Sequence, residues 1–228
     1  IPRKDGIVHL GLSHNRISDI SPLLKNPGLD QGDGLDLRGN PLNDEAYKTH
    51  IPALQQRGVF VLFDPKPSGE VIAFADPRLE HAVREQLGLR GRPLHRSDLQ
   101  QMERLDLEGK AVRDLDVVSA MGQLEVLDLR ATDVDDLSPL QGLRNLRHLR
   151  LLATKVSDLS PLGEITDLQA LCCGNPSITH IDPVATLTNL MWFGIADCTV
   201  NDLSALAGLG ELRALMVRET EVSDLTPL

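Results

Sequence analysis

Leucine recurs at a spacing of 22 residues through more than half of this 228-residue chain. From Leu105 the register runs through Leu127, Leu149, Leu171, Phe193 and Leu215. Two residues further on stand Leu107, Leu129, Leu151, Cys173, Ile195 and Val217. A unit this short cannot enclose a core of its own. Each must bury its apolar face on the next, so the chain is predicted to be a solenoid of stacked coils.

Counting the first leucine as position 0, positions 0 and 2 belong to a strand and point inward, because side chains alternate along a strand. Position 7 is aliphatic in every copy (Val112, Val134, Val156, Ile178, Val200, Val222), and positions 10 and 13 follow, from Leu115 to Leu225 and from Val118 to Leu228. Each coil thus supplies a layer of aliphatics. Position 11 is Asp116, Ser138, Ser160, Asp182, Ser204 or Thr226, and position 12 is proline at Pro139, Pro161, Pro183 and Pro227. A capping oxygen before proline is expected to start a short helical turn on the convex side. Position 9 is aspartate at Asp114, Asp136, Asp158, Asp202 and Asp224. One carboxylate per coil is too few hard ligands for calcium, so these are expected to bond to nearby backbone N–H groups. Position 5 is Asn15 and Asn40 early in the chain but Lys110, Thr132, Thr154, Pro176, Cys198 and Thr220 later. A buried amide there satisfies turn backbone, and proline cannot donate. The array is therefore expected to be least regular at Pro176, with Asn175 as the substitute.

The composition suits such layers. Hydrophobic residues make up 41% but aromatics only 3%. The net charge of −10 makes nucleic acid and anionic lipid poor partners. No apolar run approaches the ~18 residues of a membrane span, and no secretory leader stands at Ile1. Cys172, Cys173 and Cys198 match neither a disulfide framework nor a zinc motif. Cys173 is expected to be a small inward hydrophobe, with Cys172 facing outward.

Four segments are predicted. Residues 1–64 form the C-terminal end and cap of a first repeat domain, with strands around Leu10 and Leu35. A helix follows Asn43, using Ala46, Tyr47, Ile51 and Leu54 as its buried face. Pro52 is expected to break or kink it and Gly58 to end it, before a strand at 59–63. Residues 65–70, with Pro65 and Pro67, are a semi-rigid linker. Residues 71–101 are the helical N-terminal cap of a second domain. Its first helix starts at Asp76-Pro77, carries Leu79, Ala82, Val83 and Leu87, and stops at Gly88; Ser97 and Gln100 form a capping box for a second, bearing Leu99 and Met102. Residues 102–228 are the 22-residue repeats. The start in mid-repeat and the stop on Pro227-Leu228 without a closing cap predict a piece of a longer protein.

The units ending Asp-Leu-Ser-Pro-Leu (Asp136 to Leu140, Asp158 to Leu162), with the cap opening Phe74-Ala75-Asp76-Pro77-Arg78-Leu79, resemble the leucine-rich repeat family, and most of all its bacterial internalin-like branch. The resemblance covers residues 71–228, and residues 1–64 resemble the closing part of a similar domain. The chain departs from that branch in the threonines and cysteine at position 5. The resemblance implies an α/β solenoid: a right-handed superhelix with a parallel β-sheet on its concave side and short 3-10 or helical convex turns. It also implies protein binding on that sheet, often at a bacterial cell surface.

Strand positions −1, 1 and 3 face outward. In the early copies they are charged, as at Arg104, Asp106, Glu108, Asp128, Arg130, His148 and Arg150; later they turn apolar, as at Leu152, Ala170, Cys172, Trp192, Ala196 and Met216, with Met191 alongside. Outward positions stay polar unless something covers them. The partner-binding residues are therefore expected to be Arg150, Leu152, Cys172, Met191, Trp192, Met216 and Arg218, with Trp192 contributing on the order of 2–4 kcal/mol to a complex. Two other readings compete. Trp192 folds against its neighbours and only tidies the surface, or downstream chain covers the strip.

No catalytic set has supporting context. Ser13 and His14 stand together in a strand leading to a turn, Gly32-Asp33-Gly34 lacks the third glycine of a phosphate loop, and Asp30, Asp33 and Asp36 are not spaced as in an EF-hand. The expected function is protein–protein recognition without enzymatic activity, cofactor or metal, in adhesion or as a surface scaffold. The alternatives are a regulatory repeat module of an intracellular signalling protein and a self-assembling subunit. An extracellular or bacterial cell-surface location is expected, with the cytoplasm as the alternative.

Overall fold

A computed structural model describes residues 9–89 and 91–228. The expected mid-repeat start falls at residues 1–8, outside the described residues. The chain divides into two compact units: residues up to Ser68 with Arg84–Leu94, and Gly69–Val83 with His95–Leu228.

In the first unit, strands β1 (His9–Gly11), β2 (Gly34–Asp36) and β3 (Phe60–Leu62) form a parallel sheet in that order. Leu10 pairs with Leu35 and Leu35 with Val61, so the long spacing keeps the inward register. A one-turn helix, α1 (Ser21–Leu24), joins β1 to β2. Between β2 and β3 lies helix α2 (Ile51–Gln56), preceded by π turns over Ala46–His50. Asn43 caps this segment by accepting the Ala46 N–H at 2.8 Å. Pro52 does not break the helix; the turns before it widen instead. Proline has no N–H to give the preceding turn and its ring crowds the carbonyl there; the wide turns, in which Ile51 N–H reaches back to Ala46 O, absorb both defects. Gly58, at φ +84°, reverses the chain into β3. Ile20, Leu29, Leu35, Leu37, Ala46, Ile51, Leu54 and Val59 make the core.

In the second unit, Asp76 opens helix α3 (Pro77–Leu87). One carboxylate oxygen accepts the Arg78 N–H at 2.8 Å and the other accepts Arg113 N–H at 2.9 Å, which ties the cap to the first coil. Leu79, Ala82 and Val83 are buried as expected. The second cap helix, α4 (Arg96–Leu99), begins earlier than the sequence suggested. Asp98, not Gln100, closes the box by accepting His95 N–H at 2.8 Å, because the helix is a single turn placed to bury Leu99 and Met102.

The repeats supply β4 (Arg104–Asp106), β5 (Val126–Asp128), β6 (His148–Leu152), β7 (Ala170–Gly174), β8 (Trp192–Ala196) and β9 (Ala214–Arg218), parallel and in chain order. Leu105, Leu127, Leu149, Leu171, Phe193 and Leu215 lie side by side in register. The layers behind them are sealed: Val112, Val134, Val156, Ile178 and Val200 are fully buried. Two further columns, Met121 to Leu209 and Leu124 to Leu190, complete each layer.

Short 3-10 turns, such as Ser138–Leu140 and Ser160–Glu164, return the chain. Their caps differ from expectation. The position-11 side chains do not cap; they sit inside the turn. The position-9 aspartate accepts the N–H two residues on: Ser138 to Asp136, Ser160 to Asp158 and Ser204 to Asp202, all at 2.8 Å. Asp19 does the same for Ser21 in the first unit. The hydrogen bonds from Ser138 lower the pKa of Asp136, and those from Ser160 lower that of Asp158. These aspartates are turn anchors, as their spacing predicted.

Position 4 is left-handed in most coils: Gly109 (φ +68°), Ala131 (+52°), Ala153 (+57°), Asp197 (+52°) and Glu219 (+50°). Asn175 is the exception, and Pro176 is the reason. The residue before proline is pushed toward extended backbone, so Asn175 cannot take the left-handed turn. The irregularity moves to Gly174, where any Cβ would collide with the Ala196 carbonyl. In the neighbouring coils the position-6 N–H bonds to the coil before it, as Asp133 does to Val112 O and Lys155 to Val134 O, each at 2.9 Å. Around Pro176 the Asn175 amide relays that bond. Its Oδ1 accepts Ser177 N–H at 2.8 Å and its Nδ2 donates to Val156 O at 2.7 Å. Thr132 and Thr154 make the simpler bond expected of a hydroxyl, to Leu129 O at 2.7 Å and Leu151 O at 2.8 Å.

Candidate protein-binding face

Strand register sorts the outer face of the second sheet into columns. One runs Arg104, Val126, His148, Ala170, Trp192 and Ala214; the next runs Asp106, Asp128, Arg150, Cys172, Gly194 and Met216. Charge fills the early strands and small or apolar residues fill the late ones, as alternation predicted.

The charged end is a built network. Asp128 lies on the outer face, yet its side chain is only 6% exposed. Arg130 grips it through Nε to Oδ1 at 2.9 Å and Nη2 to Oδ2 at 2.7 Å, and Arg150 Nη1 adds a bond to Oδ2 at 3.0 Å. Arg130 also reaches Glu108 Oε2 at 2.7 Å. Burial works to raise the pKa of Asp128, but the arginine hydrogen bonds outweigh it and hold the carboxyl below its usual range. The same Asp-Leu-Arg device recurs in the first unit, where the hydrogen bond from Arg38 draws Asp36 down to about 2. The Asp106, Glu108 and Asp128 carboxylates gather within 4.8 Å of one another. Arg130 bonds to two of the three, so arginine supplies the compensating charge.

The apolar end is shaped by glycine. A Cβ at Gly194 would lie 2.5 Å from Trp192 Cη2, so the six-membered ring of the indole lies across the bare backbone of Gly194. Trp192 is half-buried in consequence. It does fold against its neighbours, and it also forms one wall of a depression of about 530 Å³, lined by Arg130, His148, Leu149, Arg150, Leu152, Ala170, Cys172 and Trp192. The depression thus unites four of the seven expected residues: Arg150, Leu152, Cys172 and Trp192. Met191, Met216 and Arg218 lie outside its lining. Met216 is 40% exposed on the far side of Gly194. Arg218 is turned to Glu219, with Nε and Nη2 at 3.1 and 2.9 Å from Oε1.

Cys172 lies on the outer face as expected but is sunk to 7% exposure, in register between Arg150 and Gly194. Burial pushes its thiol pKa up and leaves it neutral. Cys173 is fully buried in the core, and its pKa is raised for the same reason. Sequence reasoning missed Gly194 as part of this face, and it placed Arg130, His148 and Ala170 facing outward without counting them among the binding residues. The signal for Gly194 was present: a glycine two residues after a tryptophan, in mid-strand, marks close approach of something to the backbone.

No family model matches the chain, and no curated protein matches it by sequence. Solved structures do. An internalin of Listeria monocytogenes aligns over 68% of this chain and 53% of its own length, at 24% identity and a TM-score of 0.55. Internalin C2 of the same organism aligns over 70% of this chain and 95% of its own, at 24% identity and a TM-score of 0.51. The fold is that of an internalin-type leucine-rich repeat. The parallel sheet is therefore the concave face of a right-handed solenoid, and the 3-10 turns form its convex side. The chain spans about half the length of the first of these internalins. Among the described residues no helix is long and apolar enough to cross a membrane.

Proposed function

We propose that this leucine-rich repeat chain is a protein-recognition module that works through the concave face of β6 to β9. The observation that carries the reading is the depression beside Trp192: a half-buried indole, a floor of small side chains and an arginine at its edge, in an otherwise acidic chain. Tryptophan and arginine around a partly desolvated hollow are the residues that dominate protein interfaces. Arg150, Leu152, Cys172 and Trp192 make the centre; Met191, Met216 and Arg218 extend the contact outward. The finer role is adhesion or scaffolding at a bacterial cell surface, which the internalin-like fold favours.

The test uses a photo-activated cross-linking residue placed at Met216 on the concave face or at Ala185 in a convex turn. The expected result is one protein species cross-linked from position 216 and not from 185, and lost when Trp192→Ala is added. Because Trp192 is only half-buried, that variant keeps a melting temperature close to wild type. Cross-links from the convex position alone, or concave cross-links that ignore Trp192, overturn the proposal. Sedimentation at several concentrations identifies the case in which the partner is a second copy.

A further inference from the structure

The lining of the depression says what kind of group it accepts. Its charged or titratable side chains other than the neutral Cys172 thiol are Arg130, His148 and Arg150. The nearest carboxylate, Asp128, is buried and saturated: it accepts from the Arg130 backbone, from Arg130 Nε and Nη2, and from Arg150. Arg130 is engaged through both Nε and Nη2, between Asp128 and Glu108. Arg150 is not. It spends only Nη1 on Asp128, its side chain is 52% exposed, and among the described residues its Nε and Nη2 have no protein partner. An arginine anchored at one nitrogen, with two donor nitrogens left over, is preorganised for a carboxylate and loses little freedom on meeting one.

The rest of the lining is largely apolar: Leu149, Leu152, Ala170, Cys172 and Trp192. An aliphatic side chain can settle there while a neighbouring carboxylate reaches Arg150. Resting on the recognition reading above, we infer that the depression binds a partner segment that places an aspartate or glutamate beside a leucine-sized side chain. The net charge of −10 disfavours non-specific attraction of such a ligand, so its binding depends on a local positive site like this one.

The probe is the blocked pentapeptide Gly-Leu-Asp-Leu-Gly, with its Asn and Lys counterparts, titrated into the full 228-residue chain. Trp192 is the sole tryptophan, so its fluorescence reports the depression directly. The Asp peptide is expected to bind about tenfold more tightly than the Asn peptide, the gap between charged and neutral hydrogen bonds. Arg150→Gln should erase that ratio, while Arg144→Gln, at an exposed arginine outside the sheet, should leave it alone. A wild-type measurement guards against misfolding of the variant: the Arg150 side-chain Nε–H resonance should shift with the Asp peptide and stay still with Asn. Equal binding of the three peptides, no binding up to about 10 mM, or an unmoved Arg150 resonance overturns the inference. Should concave cross-linking hold while the Asp peptide fails, recognition stands and this ligand chemistry falls; should both fail, both fall.

Discussion

The two ends of one concave sheet are built on the same core and finished in opposite ways. At β4 to β6 the outer face is a closed polar network in which Asp128 is sunk under Arg130 and Arg150. At β7 and β8 the same columns hold Ala170, Cys172 and Gly194, and the one large group there, Trp192, lies flat because Gly194 has no Cβ. Inward residues are apolar throughout, mostly aliphatic, and each pairs with its counterpart one repeat away. Outward residues are free to differ, and the depression forms where the two finishes meet. A repeat protein can therefore hold stability and recognition on opposite faces of one strand.

The comparison breaks first at the shared core. Leu149→Ala, in the middle of the buried leucine column, should cost about 2–5 kcal/mol in chemical denaturation, because the rigid layers on either side cannot collapse into the cavity. A loss under about 1 kcal/mol would mean that the coils do not support one another.

Next is the turn that follows β7. Asn175→Ala strands Val156 O in a buried site and Ser177 N–H in a partly buried one, and should cost about 1–3 kcal/mol. Thr154→Ala removes one hydroxyl bond and should cost less. Equal losses would show that the Asn175 relay carries no special weight.

The charged half is sharpened by pH. Asp128→Asn should lower stability by about 1–2 kcal/mol at neutral pH, a modest figure since both arginines are partly solvated. The folded pKa of Asp128 lies below its unfolded value of about 3.9, so its contribution is complete above that value and fades as pH falls through the folded one. Melting curves of wild type and variant should therefore run parallel near pH 7 and converge below about pH 4. A constant gap down to pH 2 would assign the effect to packing.

The smallest effect is spectroscopic. Gly194→Ala should lift the indole off the sheet and shift Trp192 emission to the red, with a stability change under about 1 kcal/mol. Unshifted emission would mean that the ring does not depend on the bare backbone.

The 22-residue period determined the coil, the parallel register and the inward columns, because a repeated pattern has one way to bury itself. Position-9 aspartates and the Asn175 substitution were legible too, since both answer local hydrogen-bonding needs that sequence displays. The left-handed residue at position 4 was signalled by Gly39 and Gly109 but hidden at Ala131 and Ala153, where stacking enforces a conformation that alanine disfavours. Pro52 read as a breaker, yet wide helical turns accommodated it. Of the binding face, sequence determined which side chains point outward. Only the tertiary structure decided that Trp192 reclines on Gly194, that Asp128 is buried by arginines from two coils, and that Arg150 keeps two donors free. The last two depend on contacts between side chains on neighbouring strands, one repeat apart; the first is a contact within β8 that a glycine two residues after a tryptophan signalled but could not fix, because sequence does not encode how such neighbours share space.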